Sequence, residues 1–288
     1  MPLSVPEMPS RGRLYYRHKL PVRIMHWINV IAVFILLMSG LQIFNAHPAL
    51  YWGKSSYTGR PPLLEMKALE IEENDGADDR VIGVTSIFGH QFETTGILGL
   101  SKNPSGLPVA RGFPAWATLP GPQWLAMGRR WHLFFAWVFT INGLAYVAYS
   151  LVSRHLSGDL VPTSRDWRSI GRSIKDHLLL RHPRGEAARH YNVLQKLTYL
   201  GVIFGVLPLA ILMGWAMSPW LDSVIPGWVD IVGGRQSART LHFVAACALV
   251  AFVLIHVLEM IISGFWNNLR SMITGNYRIP PTERRHDD

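Results

Sequence analysis

Four histidines lie inside long apolar stretches of this chain, where an ionisable side chain is costly and is usually functional. They are His26, His132, His242 and His256. In an α-helix the spacing of the last two places them about 21 Å apart and close to one stripe. Eight further histidines fall outside the apolar stretches, and we interpret them as ordinary loop residues: His18, His47, His90, His155, His177, His182, His190 and His286.

Paired imidazoles inside a membrane point to ligation of haem iron. The alternative for any one of these histidines is a buried polar side chain that hydrogen-bonds to a neighbour. The single cysteine, Cys247, excludes disulfides, four-cysteine iron–sulfur sites and Cys-x-x-Cys-His haem attachment within this chain. Any haem is therefore expected to be held by non-covalent ligation.

The apolar stretches that carry these histidines are each long enough to cross a hydrocarbon core of about 30 Å. The composition agrees, because 49% of the 288 residues are hydrophobic, 16% are charged and eleven are Trp, a residue favoured at membrane interfaces. We predict four membrane spans, at 22–44, 131–153, 195–217 and 241–264. The first is retained as a helix because it is long for a signal peptide and lacks a small-residue cleavage site. Pro208 is predicted to kink the third span.

The distribution of positive charge orients these spans. Counting helix ends with their loops, the N-terminal tail 1–21 has five Lys and Arg through Arg23, the loop 154–194 has nine over 153–196 and the C-terminal tail 265–288 has four, which gives eighteen against ten on the other side. By the positive-inside rule, both termini are predicted to be cytoplasmic in a bacterial plasma (inner) membrane, with the insertion 45–130 in the periplasm. Topology thus accounts for the net charge of +9, and no nucleic-acid partner is expected.

The predicted topology tests the histidine assignment, because two ligands of one iron must lie at one depth. His26 enters the first span early from the cytoplasm, and His256 lies near the cytoplasmic end of the fourth. His132 and His242 both begin their spans from the periplasmic side. The predicted fold class is an all-α membrane protein, with a four-transmembrane-helix bundle over 22–264 and haems between the helices. A long periplasmic insertion and a cytoplasmic interfacial helix complete it.

Two segments outside the spans have interpretable patterns. In the insertion, ALEIEEN and DRVIGVTSIF predict an extended ribbon across the turn NDGADD. The ribbon is a candidate docking surface for a periplasmic partner, and an irregular loop that caps the bundle is the alternative. In the cytoplasmic loop, SRDWRSIGRSIKDHLLL predicts an interfacial helix with Ser164 or Asp166 as its N-cap.

Several residues near the histidines are candidates for supporting roles. Five arginines precede one of the four histidines of the apolar stretches by two to seven residues: Arg23, Arg129, Arg130, Arg235 and Arg239. Arg130 and Arg239 in particular are candidate contacts of haem propionates, with membrane-interface anchoring as the alternative. Glu259, a helix turn after His256, is a candidate proton relay or a satisfied carboxylate. Small residues that would let a flat macrocycle approach include Gly40 and Gly143, and the polar pair Asn29 and Asn142 is expected to bond neighbouring helices.

The chain resembles the bacterial cytochrome b561 and nickel–iron hydrogenase b-type cytochrome superfamily. The resemblance rests on KLPVRIMHWINVIAVFILLMSG around His26, GRRWHLFFAWVFTINGLAYV around His132, and GRQSARTLHFVAACALVAFVLIHV around His242 and His256. It covers all four spans. The chain looks most like the branch that accompanies periplasmic molybdopterin oxidoreductases, or like the cytochrome subunit of thiosulfate reductase.

The resemblance implies two b-type haems with bis-histidine ligation, by His26 with His256 and by His132 with His242. It further implies an electron-transfer subunit of a quinone-linked oxidoreductase, without catalytic side chains of its own. Electrons would pass between a periplasmic redox subunit, with a molybdopterin oxidoreductase as a candidate, and the membrane quinone pool.

Two other functions stay open from the sequence. The first is a self-contained haem enzyme that oxidises a small reductant such as superoxide with quinone as acceptor. An open, basic periplasmic pocket would favour it, whereas a covering insertion favours a protein partner. The second is a haem-free transporter that uses buried histidines, which would need a continuous polar path and broken helices near the bilayer centre.

Overall fold

The computed structural model describes residues 13–56, 59–71, 80–103, 105–178 and 192–279. The ends of both predicted tails and the whole of the predicted NDGADD turn lie outside these residues. So do His182, His190 and His286, together with the side chain of His177.

Helices make up most of the described chain. They are α1 Leu20–Phe44, α2 Leu125–Val152, α3 Ser164–Arg168, α4 Ile170–Leu178, α5 Val193–Gly201, α6 Leu207–Ala216, α7 Pro219–Val224, α8 Trp228–Ile231, α9 Arg235–Ile262 and α10 Phe265–Thr274. A 3-10 turn at Ala115–Ala117 and π-helical turns at Leu156–Leu160 and Val202–Val206 supplement them.

Four helical segments are long and apolar enough to cross a membrane, which confirms the number of spans predicted. They are α1, α2, α9 and the segment Val193–Ala216, in which a π turn joins α5 to α6. Helices α2 and α9 begin at Leu125 and Arg235, before the predicted spans at 131 and 241. The residues just before 131 and 241 include arginines, so the apolar stretches did not include them, but they form the first turns of these helices.

Pro208, which the sequence predicts to kink the third span, lies just after a change in helix type. Pro208 is the second residue of α6 and follows the π turn Val202–Val206 directly. Because proline has no N–H, the carbonyl four residues earlier loses its usual helical donor. A π turn is a common way for a helix to accommodate such a local defect.

The segment between α1 and α2 contains most of the strands, which the all-α class does not describe. The strands are β1 Arg13–Tyr16, β2 Ala49–Leu50, β3 Leu64–Ile71, β4 Arg80–Ile87, β5 His90–Glu93, β6 Gly99–Lys102, β7 Pro108–Arg111 and β8 Asn276–Ile279. They form the sheets β1-β8, β2-β3-β4-β5 and β6-β7. β3 and β4 pair antiparallel along their whole length, from Leu64 opposite Ile87 to Ile71 opposite Arg80, so the predicted ribbon is confirmed.

The described chain divides into two compact units. The terminal unit consists of residues 1–27, 145–203 and 251–288, and the sheet unit consists of residues 28–144 and 204–250. Helices α1, α2 and α9 contribute residues to both. Each unit contains two of the four histidines that the sequence singled out.

In the terminal unit, main-chain bonds join the two ends of the described chain. β1 pairs antiparallel with β8, with Arg13 opposite Ile279. The start of α1 is held to the end of α10, because the Arg23 guanidinium donates to the Ile273 carbonyl and the Trp27 indole donates to the Met272 carbonyl at 3.2 Å.

The predicted interfacial helix is two short helices, α3 and α4, and its predicted N-cap is wrong. Thr163 is the N-cap, and Asp166 is the third helical residue of a reciprocal capping box with it. Ser169 ends α3 because its backbone N–H and its hydroxyl both donate to the Asp166 carbonyl. Asp166 also pairs with the largely buried Lys196 of α5 at 2.9 Å.

In the sheet unit, the chain after α1 is strapped to the start of α9. The Gly53 carbonyl accepts hydrogen bonds from the backbone N–H groups of Gln236 and Ser237, at 3.0 and 3.2 Å. The Thr240 hydroxyl donates to the Tyr51 carbonyl at 2.7 Å. This strap, residues 47–54, thus satisfies N–H groups that the first turn of a helix leaves unpaired.

A buried guanidinium fixes the other end of the inserted segment. Arg111, 5% exposed, donates to the carbonyls of Phe113 and Gly121 and to the Thr118 hydroxyl. Its remaining contact is with the Gln42 amide oxygen of α1 at 3.5 Å. The insertion is therefore anchored to α9 near its first end and to α1 near its second.

Candidate functional site

The structure brings the four histidines together as the two predicted pairs. In the terminal unit, the ring centroids of His26 and His256 are 6.4 Å apart and their planes are inclined at 56°. In the sheet unit, the ring centroids of His132 and His242 are 6.1 Å apart and inclined at 72°. We call these the terminal-side pair and the sheet-side pair.

Both separations fit two imidazoles on one metal ion. A metal–imidazole bond of about 2.0 Å, with about 1.2 Å more from each bonded nitrogen to its ring centroid, predicts centroids roughly 6.4 Å apart. The described residues contain no group of three or more His, Cys, Asp or Glu side chains placed to hold a metal ion. Each pair thus offers two ligands, which suits a haem whose ring supplies the other four nitrogens.

In the sheet-side pair, both Nδ1 atoms are engaged with backbone carbonyls. His132 Nδ1 lies 3.1 Å from the Leu36 carbonyl and 3.2 Å from the Ser39 hydroxyl, both on α1. His242 Nδ1 lies 2.7 Å from the Ala210 carbonyl on α6. Since a carbonyl only accepts, each Nδ1 is assigned the proton, and each Nε2 keeps a lone pair that can bind a metal ion.

Glycines let neighbouring helices approach the same two rings. A Cβ at Gly40 would lie 3.2 Å from His132 Cε1, and a Cβ at Gly214 would lie 3.4 Å from His242 Cε1. Of the two glycines that the sequence singled out, Gly40 thus contacts a histidine. A Cβ at Gly143 would meet nothing within 4 Å.

Aromatic rings rather than carbonyls surround the terminal-side pair. His256 stacks on Phe252 with centroids 5.7 Å apart, and Phe252 meets the Tyr199 ring edge-on at 6.4 Å. His26 meets Trp27 edge-on at 5.6 Å. Within the described residues, the buried His26 Nδ1 has no hydrogen-bond partner.

Ionisable side chains lie close to the terminal-side pair. His18 is close enough to His26 and His155 to interact with their charge, and burial, with added repulsion from Arg17, lowers its pKa to about 4. The His155 ring meets the Tyr146 ring edge-on at 6.5 Å. His18 and His155 are therefore part of this environment, although nothing in the sequence distinguishes them from the other loop histidines.

The candidate propionate contacts take different positions. Arg239 is half-buried near His242, donates to the His47 carbonyl and lies over the Phe44 ring at 5.5 Å. Arg130 lies on an exposed face of α2, in a shallow apolar groove with Met127, Trp131 and Phe134.

The remaining candidates are accounted for as follows. Arg129 is exposed, Arg235 lies 3.9 Å from Asp222, and Arg23 is bound to Ile273. Asn142 donates to Asn29 at 2.7 Å, which confirms their interpretation as a bond between helices. Glu259 is half-buried one turn after His256, and its charge acts on Tyr199.

Two residues of the sheet unit were not among the candidates from the sequence. Ser39 is completely buried against His132, and Arg111 is a buried residue of the inserted segment itself. Serine is common in transmembrane helices, so nothing in the sequence distinguishes Ser39. Arg111 belongs to a loop-like segment in which an arginine is ordinarily exposed.

Comparison with known proteins agrees with this geometry. The model of the family described as prokaryotic cytochrome b561 matches residues 17–275, a range that contains all four candidate spans and all four histidines. A relative from Azospira oryzae, named "Putative protein-methionine-sulfoxide reductase subunit YedZ1", is 26% identical over 244 residues, which are 85% of this chain and 89% of that protein. No solved structure matches the chain.

Proposed function

The chain belongs to the prokaryotic cytochrome b561 family, and we propose that it is a di-haem cytochrome b that carries electrons between a periplasmic redox subunit and the membrane quinone pool. The observation that supports this most directly is the spacing of the two imidazole pairs, 6.1 and 6.4 Å between ring centroids. In this proposal His132 and His242 are the ligands of one haem, and His26 and His256 are the ligands of the other. Each haem, when bound, supplies one-electron redox chemistry.

The side chains around each pair have separate tasks in this proposal. The carbonyls of Leu36 and Ala210 keep the Nε2 atoms of His132 and His242 directed at the metal. Arg239 is the propionate contact best placed beside the sheet-side pair, since it is half-buried on the same helix, three residues before His242. Arg130, on the exposed face of α2, is proposed only as a second contact.

At the terminal-side pair, the surrounding groups suit a reaction that consumes protons. Quinone reduction needs both electrons and protons, and His18, His155 and Tyr146 are groups that can hold protons at a membrane surface. We place the quinone reaction on this side. Glu259 is the further proton-bearing group there, one helix turn from His256.

A partner on the sheet side is supported by the inserted segment. The relative from Azospira oryzae is named as a subunit of a reductase, and we propose a periplasmic redox subunit of that kind, or a molybdopterin oxidoreductase, for this chain as well. Phe44 forms one apolar cluster with Met66 of β3 and with Phe243, the residue that follows His242 on α9. A site covered in this way favours a protein donor or acceptor over a small diffusing reductant such as superoxide.

The surface proposed for this partner is the β4–β5 hairpin. Among the described strands, β5 is at an edge of its sheet. Phe88 and Phe92 there are 74% and 53% exposed, and Ile87 is 42% exposed. Exposed apolar side chains beside an open edge are typical of a surface that another protein covers.

The first experiment is a count of haems. Purified protein is examined by dithionite-reduced minus oxidised spectra and by pyridine haemochrome quantification. We expect two b haems per chain, one of them lost in His26→Ala and His256→Ala and the other lost in His132→Ala and His242→Ala. Folded wild-type protein without haem would contradict the proposal and leave the haem-free transporter.

The second experiment concerns the partner. Cells that express Phe88→Glu are compared with wild type for quinol-dependent reduction of periplasmic protein-bound methionine sulfoxide. We expect slower reduction with an unchanged haem spectrum, because the charge would disturb docking without reaching the histidines. A rate in Phe88→Glu equal to that of wild type would contradict the proposal that a partner docks on the hairpin. A lower rate together with loss of haem would contradict the proposal that the hairpin can be altered without affecting the histidine pairs.

The third experiment tests the proposed orientation. In a Cys247→Ala background, Phe88→Cys or Arg278→Cys supplies a single thiol for labelling by a membrane-impermeant maleimide. With both termini in the cytoplasm, we expect intact cells to label the first variant and not the second. The reverse pattern would place the insertion in the cytoplasm.

A further inference from the structure

We propose that Ser39 is a positioning residue that shares the Nδ1 proton of His132 with the Leu36 carbonyl and thereby lowers the reduction potential of the sheet-side haem. The inference rests on the proposed function, because it assumes that His132 ligates a haem iron. It names a residue on a helix that supplies no ligand to this pair.

The hydroxyl of Ser39 is placed to accept a hydrogen bond from the imidazole. Its oxygen lies 2.6 Å from the Ile35 carbonyl, and this is the shortest contact to which it can donate its single hydrogen. Its lone pairs then face His132 Nδ1 at 3.2 Å, while the Leu36 carbonyl lies 3.1 Å from the same nitrogen. The Nδ1–H of His132 is thus shared between two acceptors, the Leu36 carbonyl and the Ser39 hydroxyl, which lie within one turn of α1.

The backbone of α1 is shaped for this contact. Gly40, next to Ser39, has no Cβ, and an added Cβ would lie 3.2 Å from His132 Cε1. Ser39 is 0% exposed, so no water competes for the imidazole proton. The Leu36 carbonyl, the Ser39 hydroxyl and Gly40 therefore form a fixed cradle for the His132 ring.

An acceptor at Nδ1 changes the electron density that the ring gives to iron. As the Nδ1 proton is drawn toward an acceptor, Nε2 becomes a stronger donor, which stabilises the oxidised metal and lowers its potential. Two acceptors do this for His132, and one does it for His242. The buried His26 Nδ1 of the terminal-side pair has no acceptor among the described residues, so this effect is absent at His26.

The test is a redox titration with the electron paramagnetic resonance of each ferric haem recorded in parallel. Ser39→Ala removes an acceptor, and Ser39→Cys keeps a side chain of similar size with a weaker acceptor. We expect both variants to retain two haems, with one midpoint potential moved upward and the other unchanged. Ser39→Thr keeps the hydroxyl and is expected to restore the wild-type potential. The His132→Ala protein identifies which signal belongs to the sheet-side haem.

The matched control is Thr140→Val on α2. Thr140 is buried in the same unit, and its hydroxyl donates to the Ala136 carbonyl at 2.7 Å, as that of Ser39 does to Ile35. We expect both potentials to stay at their wild-type values in this variant. An unmoved potential in Ser39→Ala, an equal shift in Thr140→Val, or loss of the haem in both Ser39 variants would overturn the proposal. Wild-type protein without haem would instead contradict the proposed function.

Discussion

The two histidine pairs have nearly the same ring separation, but the protein holds their rings in different ways. In the sheet-side pair, carbonyls fix both Nδ1 atoms, and Gly40 and Gly214 admit the rings against neighbouring helices. In the terminal-side pair, aromatic rings contact the imidazoles, and His18 and other ionisable groups lie close by. The two pairs therefore share the separation between their rings, but the groups that surround the rings differ from one pair to the other.

This difference matches a division of tasks in the proposed function. A site that only passes electrons to a protein partner benefits from rigid ligands, which keep its geometry the same in both redox states. A site that works with quinone also needs groups that bind and release protons. The following predictions test whether the two environments are separable, beginning with the largest effect.

Enlarging a glycine of the sheet-side pair should remove one haem and leave the other. Gly40→Leu places a branched side chain where even a Cβ would lie 3.2 Å from His132, so we expect one haem per chain instead of two. Gly201→Leu is the control, because a Cβ there would meet nothing within 4 Å. Pyridine haemochrome measures the stoichiometry. Loss of both haems in Gly40→Leu would show that the two environments are not separable.

Removing the buried guanidinium should destabilise the sheet unit. Arg111→Met leaves several buried oxygens without a donor, and at about 1–3 kcal/mol for each unsatisfied group we expect a loss of about 3 kcal/mol. Arg111→Lys should not restore the loss, because a lysine cannot span the same acceptors. Thermal unfolding in detergent measures the effect.

Arg80→Met is the control for this change. Its only described ion pair, with Glu93, is 3.7 Å long, and the Arg80 side chain is 69% exposed. We expect a change within about 0.5 kcal/mol. An equal effect of the two substitutions would mean that Arg111 does not anchor the insertion.

Two ion pairs of equal length should contribute unequally to stability. Lys196 and Asp166 of the terminal unit are 2.9 Å apart with side chains 10% and 21% exposed, whereas Lys54 and Asp230 of the sheet unit are 2.9 Å apart with side chains 75% and 53% exposed. We expect Lys196→Met to lower the free energy of unfolding by about 2 kcal/mol and Lys54→Met by less than about 0.5 kcal/mol. Thermal unfolding of both variants decides this, and equal losses would contradict it.

The smallest effect concerns acidity and should appear only below neutral pH. The pKa of His18 is lowered from 6.5 to about 4 by burial, so the unfolded chain binds more protons between these values. Its contribution to stability is therefore fully present above pH 6.5 and is lost as the pH falls toward 4. We expect the Tm of His18→Gln to fall less steeply over this range, with little difference from wild type at neutral pH. Parallel pH profiles of the two proteins would contradict the assignment.

The long-range arrangement of the helices was largely readable from the sequence. Each span is a continuous apolar stretch, and matching the depth of His26 to His256 and of His132 to His242 gave the pairs that the structure brings together. The β3–β4 ribbon was predicted as well, because alternating residues flank a turn. These features depend on patterns that extend over many residues.

The local environment of each site could not be predicted in this way. Ser39 acts through a distance of a few ångströms to a residue nearly a hundred positions away, and no periodic pattern records such a contact. The sequence predicted Ser164 or Asp166 as the N-cap of α3, whereas the N-cap is Thr163. A pattern of residue types does not locate the first residue of a helix to within one position. For Arg111, burial follows from the fold of the inserted segment, which charge alone does not reveal.

The anchoring of the inserted segment has a consequence for how the protein evolves. Its hydrogen bonds to the helices come from its two ends, the strap at 47–54 and the Arg111 region. The β4–β5 hairpin projects between these ends with Phe88 largely exposed. Substitutions and length changes in the hairpin can therefore accumulate without disturbing the histidines, so that the surface proposed for a partner can change in a lineage while the two histidine pairs stay the same.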